Sequence, residues 1–201
     1  MRLATIAVGV LLVGSTFLLT RAVYSGEEKP GGGQKGPTPE QMAEMMKLAT
    51  PGPEHEEMAK YAGNWETECT DCQNPEGPKS KGTVVSKTVL GGRFLLSEYK
   101  GEMGGMAFEG LAIEGFDNKK KEWFSIWMDS MGTTHVRSTG GAVKDGVRTM
   151  VSESFDCGWG PTSMRLVETR KDADNMSMEM FMKTGSEPEA KSMVMTYKRK
   201  K

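Results

Sequence analysis

Ten short segments between residues 63 and 198 alternate apolar and polar side chains, and short turns separate them. A period of two indicates β-strands that each bury one face. The turns carry the residues that tight hairpins prefer, such as Gly91-Gly92 and Asp117-Asn118. No helical pattern of ten or more residues separates the segments, which argues against a βαβ fold. The sequence therefore predicts a mostly β protein, an antiparallel up-and-down β-barrel of about ten strands with a short N-terminal helical extension.

The N-terminus has the pattern of an export signal. Residues 3–20 carry no charge and lie between Arg2 and Arg21. Small residues around Ser25 suit cleavage before Gly26, yet the apolar stretch is also long enough to remain as a membrane anchor. Both alternatives predict an exported protein, periplasmic or extracellular, and any membrane contact is expected only through this stretch.

The chain divides into four regions by composition. Residues 1–25 form the signal peptide or anchor, and residues 26–37 form a linker of glycine, proline and charge. Residues 38–61 contain two short helices, and residues 62–201 form the barrel domain.

The two helices are predicted from their start signals. Thr38 caps the first helix, with Pro39 next and Gln41 completing a capping box. Met42, Met45 and Met46 give that helix an apolar face. In the second helix, the apolar contacts are expected from Met58, Ala59 and Tyr61, and His55 is expected on a solvated face. This second helix is predicted to cover one end of the barrel.

Several function classes have little support. The net charge of −1 and the pI near 6.2 give no basic surface for nucleic acid. No hydrolase motif is present, so no catalytic residue is assigned and the chain is not predicted to be an enzyme.

Seven short motifs, in order, resemble a bacterial family of unknown function, DUF1579. These motifs are Thr50-Pro51-Gly52-Pro53-Glu54-His55, Ala62-Gly63-Asn64-Trp65, Leu90-Gly91-Gly92-Arg93-Phe94-Leu95, Gly101-Glu102-Met103-Gly104, Phe108-Glu109-Gly110, Gly115-Phe116-Asp117-Asn118 and Trp127-Met128-Asp129-Ser130-Met131-Gly132-Thr133. The resemblance covers residues 40–199 and implies a lipocalin-like barrel, with no activity to carry over.

The three cysteines depart from that family pattern. Cys69, Cys72 and Cys157 fall in or beside turns that an up-and-down barrel places at one rim, and His135 follows another turn there. A disulfide from the first hairpin to Cys157, unpaired thiols, and a Cys₃His zinc site all remain open. His135 also offers a haem ligand in such a barrel. No cofactor is predicted as the leading interpretation.

The interior wall is expected to be aromatic and rich in methionine. Methionines recur at every second position from Met176 to Met182, which favours core packing or a flexible apolar binding wall over soft-metal ligation. The polar side chains of Asp129 and Arg137, near this wall, could orient a ligand. The candidate pocket residues are Trp65, Tyr99, Trp123, Trp127, Asp129, Arg137, Met178 and Met180.

Three functions follow from this pattern. The leading one is non-covalent binding of a small apolar or amphipathic molecule inside an exported barrel. The alternatives are a solid structural or interaction barrel, and a metal-binding protein that uses the rim of cysteines and His135. The oligomeric state is left open.

Overall fold

The computed structural model describes residues 36–201 except Cys157, and residues 38–201 form one compact unit. The elements, in chain order, are α1 (Pro39–Ala49), α2 (Pro53–Ala59), β1 (Gly63–Asp71), β2 (Ser80–Val89), β3 (Phe94–Met103), β4 (Met106–Asp117), β5 (Glu122–Asp129), β6 (Val136–Gly140), β7 (Val147–Ser152), β8 (Phe155–Asp156), β9 (Pro161–Arg170), β10 (Asn175–Thr184) and β11 (Ala190–Arg199).

The sheet closes on itself into a ten-strand antiparallel barrel. Each barrel strand pairs with the next one along the chain, and β7 pairs with β9 across the short β8. Closure comes from β1, which pairs with β2 on one side and with β11 on the other. The predicted up-and-down barrel is therefore confirmed, and α1 and α2 form the predicted N-terminal helical extension.

The seventh predicted strand, residues 147–155, is in fact interrupted. Between the pairs Val151–Arg165 and Phe155–Thr162, three residues on one side face two on the other. The amide of Met164 donates to Ser152 Oγ at 2.7 Å instead of to a backbone carbonyl. The side-chain hydrogen bond ends the ladder, so the two residues after the break form β8, which pairs with β9 alone.

The second helix closes one end of the barrel, which we call the closed end. Met58 from α2 is 1% exposed and packs with Tyr61 and barrel residues that include Leu95, Trp123 and Met150. The prediction for Met58 and Tyr61 is confirmed, but Ala59 is exposed.

The first helix forms with the predicted capping box but covers nothing that the structure describes. Thr38 Oγ1 accepts from the Gln41 amide, and the Gln41 side chain accepts from the Thr38 amide. Met42, Met45 and Met46 are nonetheless exposed, and α1 buries no side chain among the described residues. The predicted cover of the barrel end is α2, whose Met58 enters the core.

Arg199 fastens the first and last strands to the closed end. Its guanidinium lies over the Trp65 ring, 4.1 Å from the ring centroid. It donates to the carbonyls of Ala62 at 2.7 Å, Lys60 at 2.9 Å and Ala173 at 3.0 Å. One side chain therefore joins the end of α2, the start of β1 and the turn between β9 and β10.

We expect Arg199→Ala to lower the free energy of unfolding by about 2 kcal/mol, since hydrogen bonds from a charged donor are worth more than neutral ones. Arg199→Lys should recover little, because a single ammonium cannot reach three carbonyls in different directions. Urea unfolding followed by tryptophan fluorescence measures both. Arg137→Ala, which removes an exposed ion pair, is the control and should cost less than about 1 kcal/mol. Equal losses for Arg199→Ala and Arg137→Ala would contradict this role.

Candidate functional site

The candidate site is the inside of the barrel, and alternation within each strand sets which side chains enter it. Trp65, Thr67 and Cys69 face inward from β1, and their register partners across the ladder do the same. Every second residue from Met176 to Met182 faces inward from β10. The methionine stripe is thus part of the inner wall.

Most predicted pocket residues lie on this inner face. Trp65, Tyr99 and Trp123 are buried, and Met178 packs with the first two of these rings while Met180 is its inward neighbour on β10.

Trp127 also faces inward and stacks against Phe108, with ring centroids 6.3 Å apart. Its indole N–H donates to Asp129 Oδ2 at 2.7 Å. Asp129 therefore holds the indole in place and is at the end of its strand, at the rim opposite the closed end.

Arg137 does not belong to the pocket. It lies between the inward residues Val136 and Ser138 of β6, so it points outward and bonds Glu153 at 2.7 Å. The prediction that Arg137 orients a ligand beside Asp129 was therefore wrong, because the alternation of β6 puts this residue on the outer face.

A charged group that the sequence reasoning missed lies inside the barrel. Arg148 is 3% exposed, and its guanidinium bonds Glu168 Oε2 at 2.6 Å and Glu114 Oε1 at 2.7 Å. The guanidinium also lies over the rings of Tyr61 and Trp123. The available signal was the alternation of β7, which places Arg148 on the same face as the buried Met150.

Two carboxylates share this one guanidinium, so the group carries an excess negative charge when both are ionised. Burial, only partly offset by Arg148, raises the pKa of Glu114, and the neighbouring Glu168 raises it further. Burial likewise raises the pKa of Tyr197, helped by Glu168 and Glu114. The interior thus favours neutral or protonated groups next to its carboxylates.

One inward hydroxyl is without a hydrogen bond. Thr67 is 5% exposed, and its Oγ1 has no partner among the described residues. Its register partners are Gly82 and Tyr197, and glycine offers no side chain. Thr67 Oγ1 can therefore accept or donate one further hydrogen bond inside the barrel.

Burial along the strands distinguishes two sides of the interior. On β2 the inward Val84 and Ser86 are buried while their neighbours are exposed or half-buried. On β9 and β10 this contrast is lost, since inward residues such as Leu166 and Met178 are only half-buried. The methionine side of the barrel therefore keeps accessible surface on the face that points inward.

The rim candidates do not form a metal group among the described residues. Cys69 and Cys72 are half-buried and unbonded to each other, and His135 is exposed. Cys157, to which the sequence reasoning assigned a disulfide or a zinc ligand, lies outside the described residues. Within the described part of the chain, no three His, Cys, Asp or Glu side chains are grouped to hold a metal.

His55 is buried at the closed end, so its predicted place on a solvated face was wrong. Its Nδ1 accepts from the Gly52 amide at 3.0 Å, and its ring meets Phe116 edge-on. Burial lowers the pKa of His55, and nearby Arg93 adds to that. This imidazole starts α2 and therefore has a structural role.

Two pockets flank α2 on the outside of the closed end, with volumes of about 230 Å³ and 520 Å³. The larger is lined by residues that include Glu57, Trp123 and Val143, and it opens to solvent. Neither pocket contains the methionine wall or the buried Arg148 group.

No helix within residues 36–156 and 158–201 is long and apolar enough to cross a membrane.

The raised pKa of Glu114 predicts how the free energy of unfolding changes with pH. Because the pKa of Glu114 is higher in the folded chain than in the unfolded one, its contribution to stability is favourable at low pH and is lost as the pH rises above the ordinary value of 4.5. Glu114→Gln should therefore flatten the fall of unfolding free energy with pH, by up to about 1.4 kcal/mol per pH unit. Urea unfolding at a series of pH values measures the slope. An unchanged slope in Glu114→Gln would refute the assignment.

A companion variant tests Arg148, the guanidinium that Glu114 and Glu168 share. Arg148→Met leaves both carboxylates buried without a cation, and we expect a loss of about 3–5 kcal/mol at neutral pH. Most of that loss should return on acidification, since protonation removes both charges.

The structure is similar to solved barrels. The crystal structure of Rv2717c from M. tuberculosis superposes with a TM-score of 0.54 at 12% sequence identity, covering 76% of this chain and 100% of that one. A redesigned β-barrel matches with a TM-score of 0.38 at 10% identity, covering 71% of this chain and 93% of that one. The similarity to Rv2717c supports the barrel fold alone.

No functionally curated protein matches the sequence. A family model does match, over residues 50–199, which is most of the barrel and includes α2. The family resemblance predicted from the short motifs is thus confirmed, and this chain belongs to the family described as "Protein of unknown function (DUF1579)".

Proposed function

We propose that this protein binds a small amphipathic molecule, non-covalently and without chemical conversion, inside its barrel. The observation that carries the proposal is the half-buried state of the inward side chains on β9 and β10. A barrel filled by its own side chains would bury these positions as fully as Val84 of β2.

The chemistry of the wall defines the apolar part of the ligand. Met178 and Met180 are flexible thioethers, and Trp127 presents a ring on the facing side. Methionine adapts to irregular apolar shapes at little cost, so this wall suits a hydrocarbon or aromatic body.

The buried polar groups define the polar part. Thr67 Oγ1 is without a hydrogen bond, and Glu114 and Glu168 share one guanidinium. A ligand group that donates hydrogen bonds, such as an amine or hydroxyl, would satisfy these acceptors, whereas a carboxylate would be repelled by them.

The direct experiment is a fluorescence titration with 1-aminoanthracene, a rigid apolar molecule that has one amine. We expect a saturable signal with one site per chain. Ala112 is a small inward residue of β4 beside Trp127 in the register. Ala112→Phe should fill the interior and weaken binding by about tenfold or more. The full chain is used throughout, so any uptake by residues 1–35 is common to all variants.

The matched control is Val85→Phe, which adds a ring at an exposed, outward position of β2. It should leave the affinity unchanged. Thermal unfolding of each variant identifies one that fails to fold. Absence of a saturable signal from the unmodified chain would overturn the proposal and favour a solid barrel with a structural or interaction role.

We also propose export of the protein, supported by the uncharged stretch of residues 3–20 between two arginines. In cells fractionated after expression in a bacterium with signal peptidase, N-terminal sequencing should give Gly26 from a soluble exported fraction, or Met1 from a membrane fraction. Recovery of the full chain from the cytoplasm would contradict export.

A further inference from the structure

Five sulfur-containing side chains lie together on the inner wall and form what we call the sulfur patch: Cys69, Met178, Met180, Met193 and Met195. Cys69 is opposite Met195, and Met195 is opposite Met178, so these three make one row across β1, β11 and β10. Met180 and Met193 form the next pair toward the open rim, which is the end of the barrel opposite the closed end.

Register places these sulfur atoms within mutual reach. Residues directly opposite each other in antiparallel strands have Cα atoms about 4.5–5.5 Å apart, and their side chains leave the same face. The thiol and three of the thioethers, those of Met178, Met193 and Met195, pack in one cluster with Trp65 and Tyr99.

We propose that the sulfur patch binds one monovalent copper ion, through the Cys69 thiolate and the thioethers of Met195 and Met178, with Met193 beside them. Thiolate and thioether are soft ligands, and soft ligands select Cu(I) over hard divalent ions. This proposal goes beyond the small-molecule function above and does not depend on it.

Two observations favour a site over packing alone. The sulfur patch is only partly buried, since Cys69, Met178, Met180 and Met193 are all half-buried, so an ion can reach it from the open rim. The stripe on β10 alone favours packing, but the fold adds a thiol from β1 and two more thioethers from β11 to the same patch.

The backbone beside the patch is also locally irregular. The register between β10 and β11 shifts after the pair Met180–Met193. Ser192 lies at the shift; its Oγ donates to the Met180 carbonyl at 3.2 Å, and its own carbonyl accepts from the Cys72 amide at 3.0 Å. The bulge thus fixes the end of β1 next to Met193, and bulges recur where strands are shaped for a site.

The binding step moves a proton and no electrons. The Cys69 thiol loses its proton to solvent, a sulfur–copper bond forms, and copper stays monovalent. Copper must therefore displace one proton for each ion bound.

The test uses the full chain carrying Cys72→Ser and Cys157→Ser, which leaves Cys69 as its only thiol. Cu(I) is supplied anaerobically with a chromogenic Cu(I) chelator, and competition gives stoichiometry and affinity. We expect one copper per chain. Adding Cys69→Ser should abolish binding, and adding Met195→Leu or Met178→Leu should weaken it by about tenfold or more each. X-ray absorption should show sulfur as the only ligand.

The matched control is Met164→Leu, which changes a half-buried inward methionine of β9 outside the sulfur patch. It should leave copper affinity unchanged. Methionine and leucine have similar volumes, so the variants should fold, and circular dichroism checks this. Loss of copper on replacing Cys72 and Cys157 alone would overturn the assignment, as would binding that survives Cys69→Ser. Titration with 1-aminoanthracene in the presence of excess Cu(I) chelator tests the proposed small-molecule binding separately.

Discussion

Pairing of β1 with β11 is the constraint on which the rest of the structure depends. An open sheet of ten strands would have two faces in contact with solvent, and neither would require the burial of a guanidinium. Closure defines an inside, and the alternation of each strand then assigns half of its residues to that inside. Arg199 secures the closure chemically, since it contacts Trp65 from the first strand and comes from the last.

The interior is unequal around its circumference. The rings of Trp65, Tyr99 and Trp123 on β1, β3 and β5 are buried, whereas the inward thioethers of β9 and β10 are half-buried. Inside the barrel Arg148 binds two carboxylates, and burial raises the pKa of one of them, Glu114. Such an arrangement costs stability relative to an apolar core of the same volume.

The sequence reasoning found the architecture because strands, turns and caps are encoded locally. The alternation at Met176 to Met182 and the capping box at Thr38 were sufficient for elements that the structure confirms. Two kinds of information were missing. The strand break at Ser152 depends on a side-chain hydrogen bond to another strand, and the burial of Arg148 depends on two carboxylates that come from β4 and β9. His55 was misplaced because a charged neighbourhood resembles a solvent face, although the ring itself fills a position between α2 and Phe116.

The first helix has a different relation to the fold from every other element. Its described side chains bury nothing, and its attachment consists of carbonyls at its last turn, which accept from Asn118 and Arg93. Its opening would expose no core, so its free energy of opening is set by a few solvent-exposed hydrogen bonds. Amide hydrogens of α1 should consequently exchange with solvent on a much faster timescale than those of the barrel.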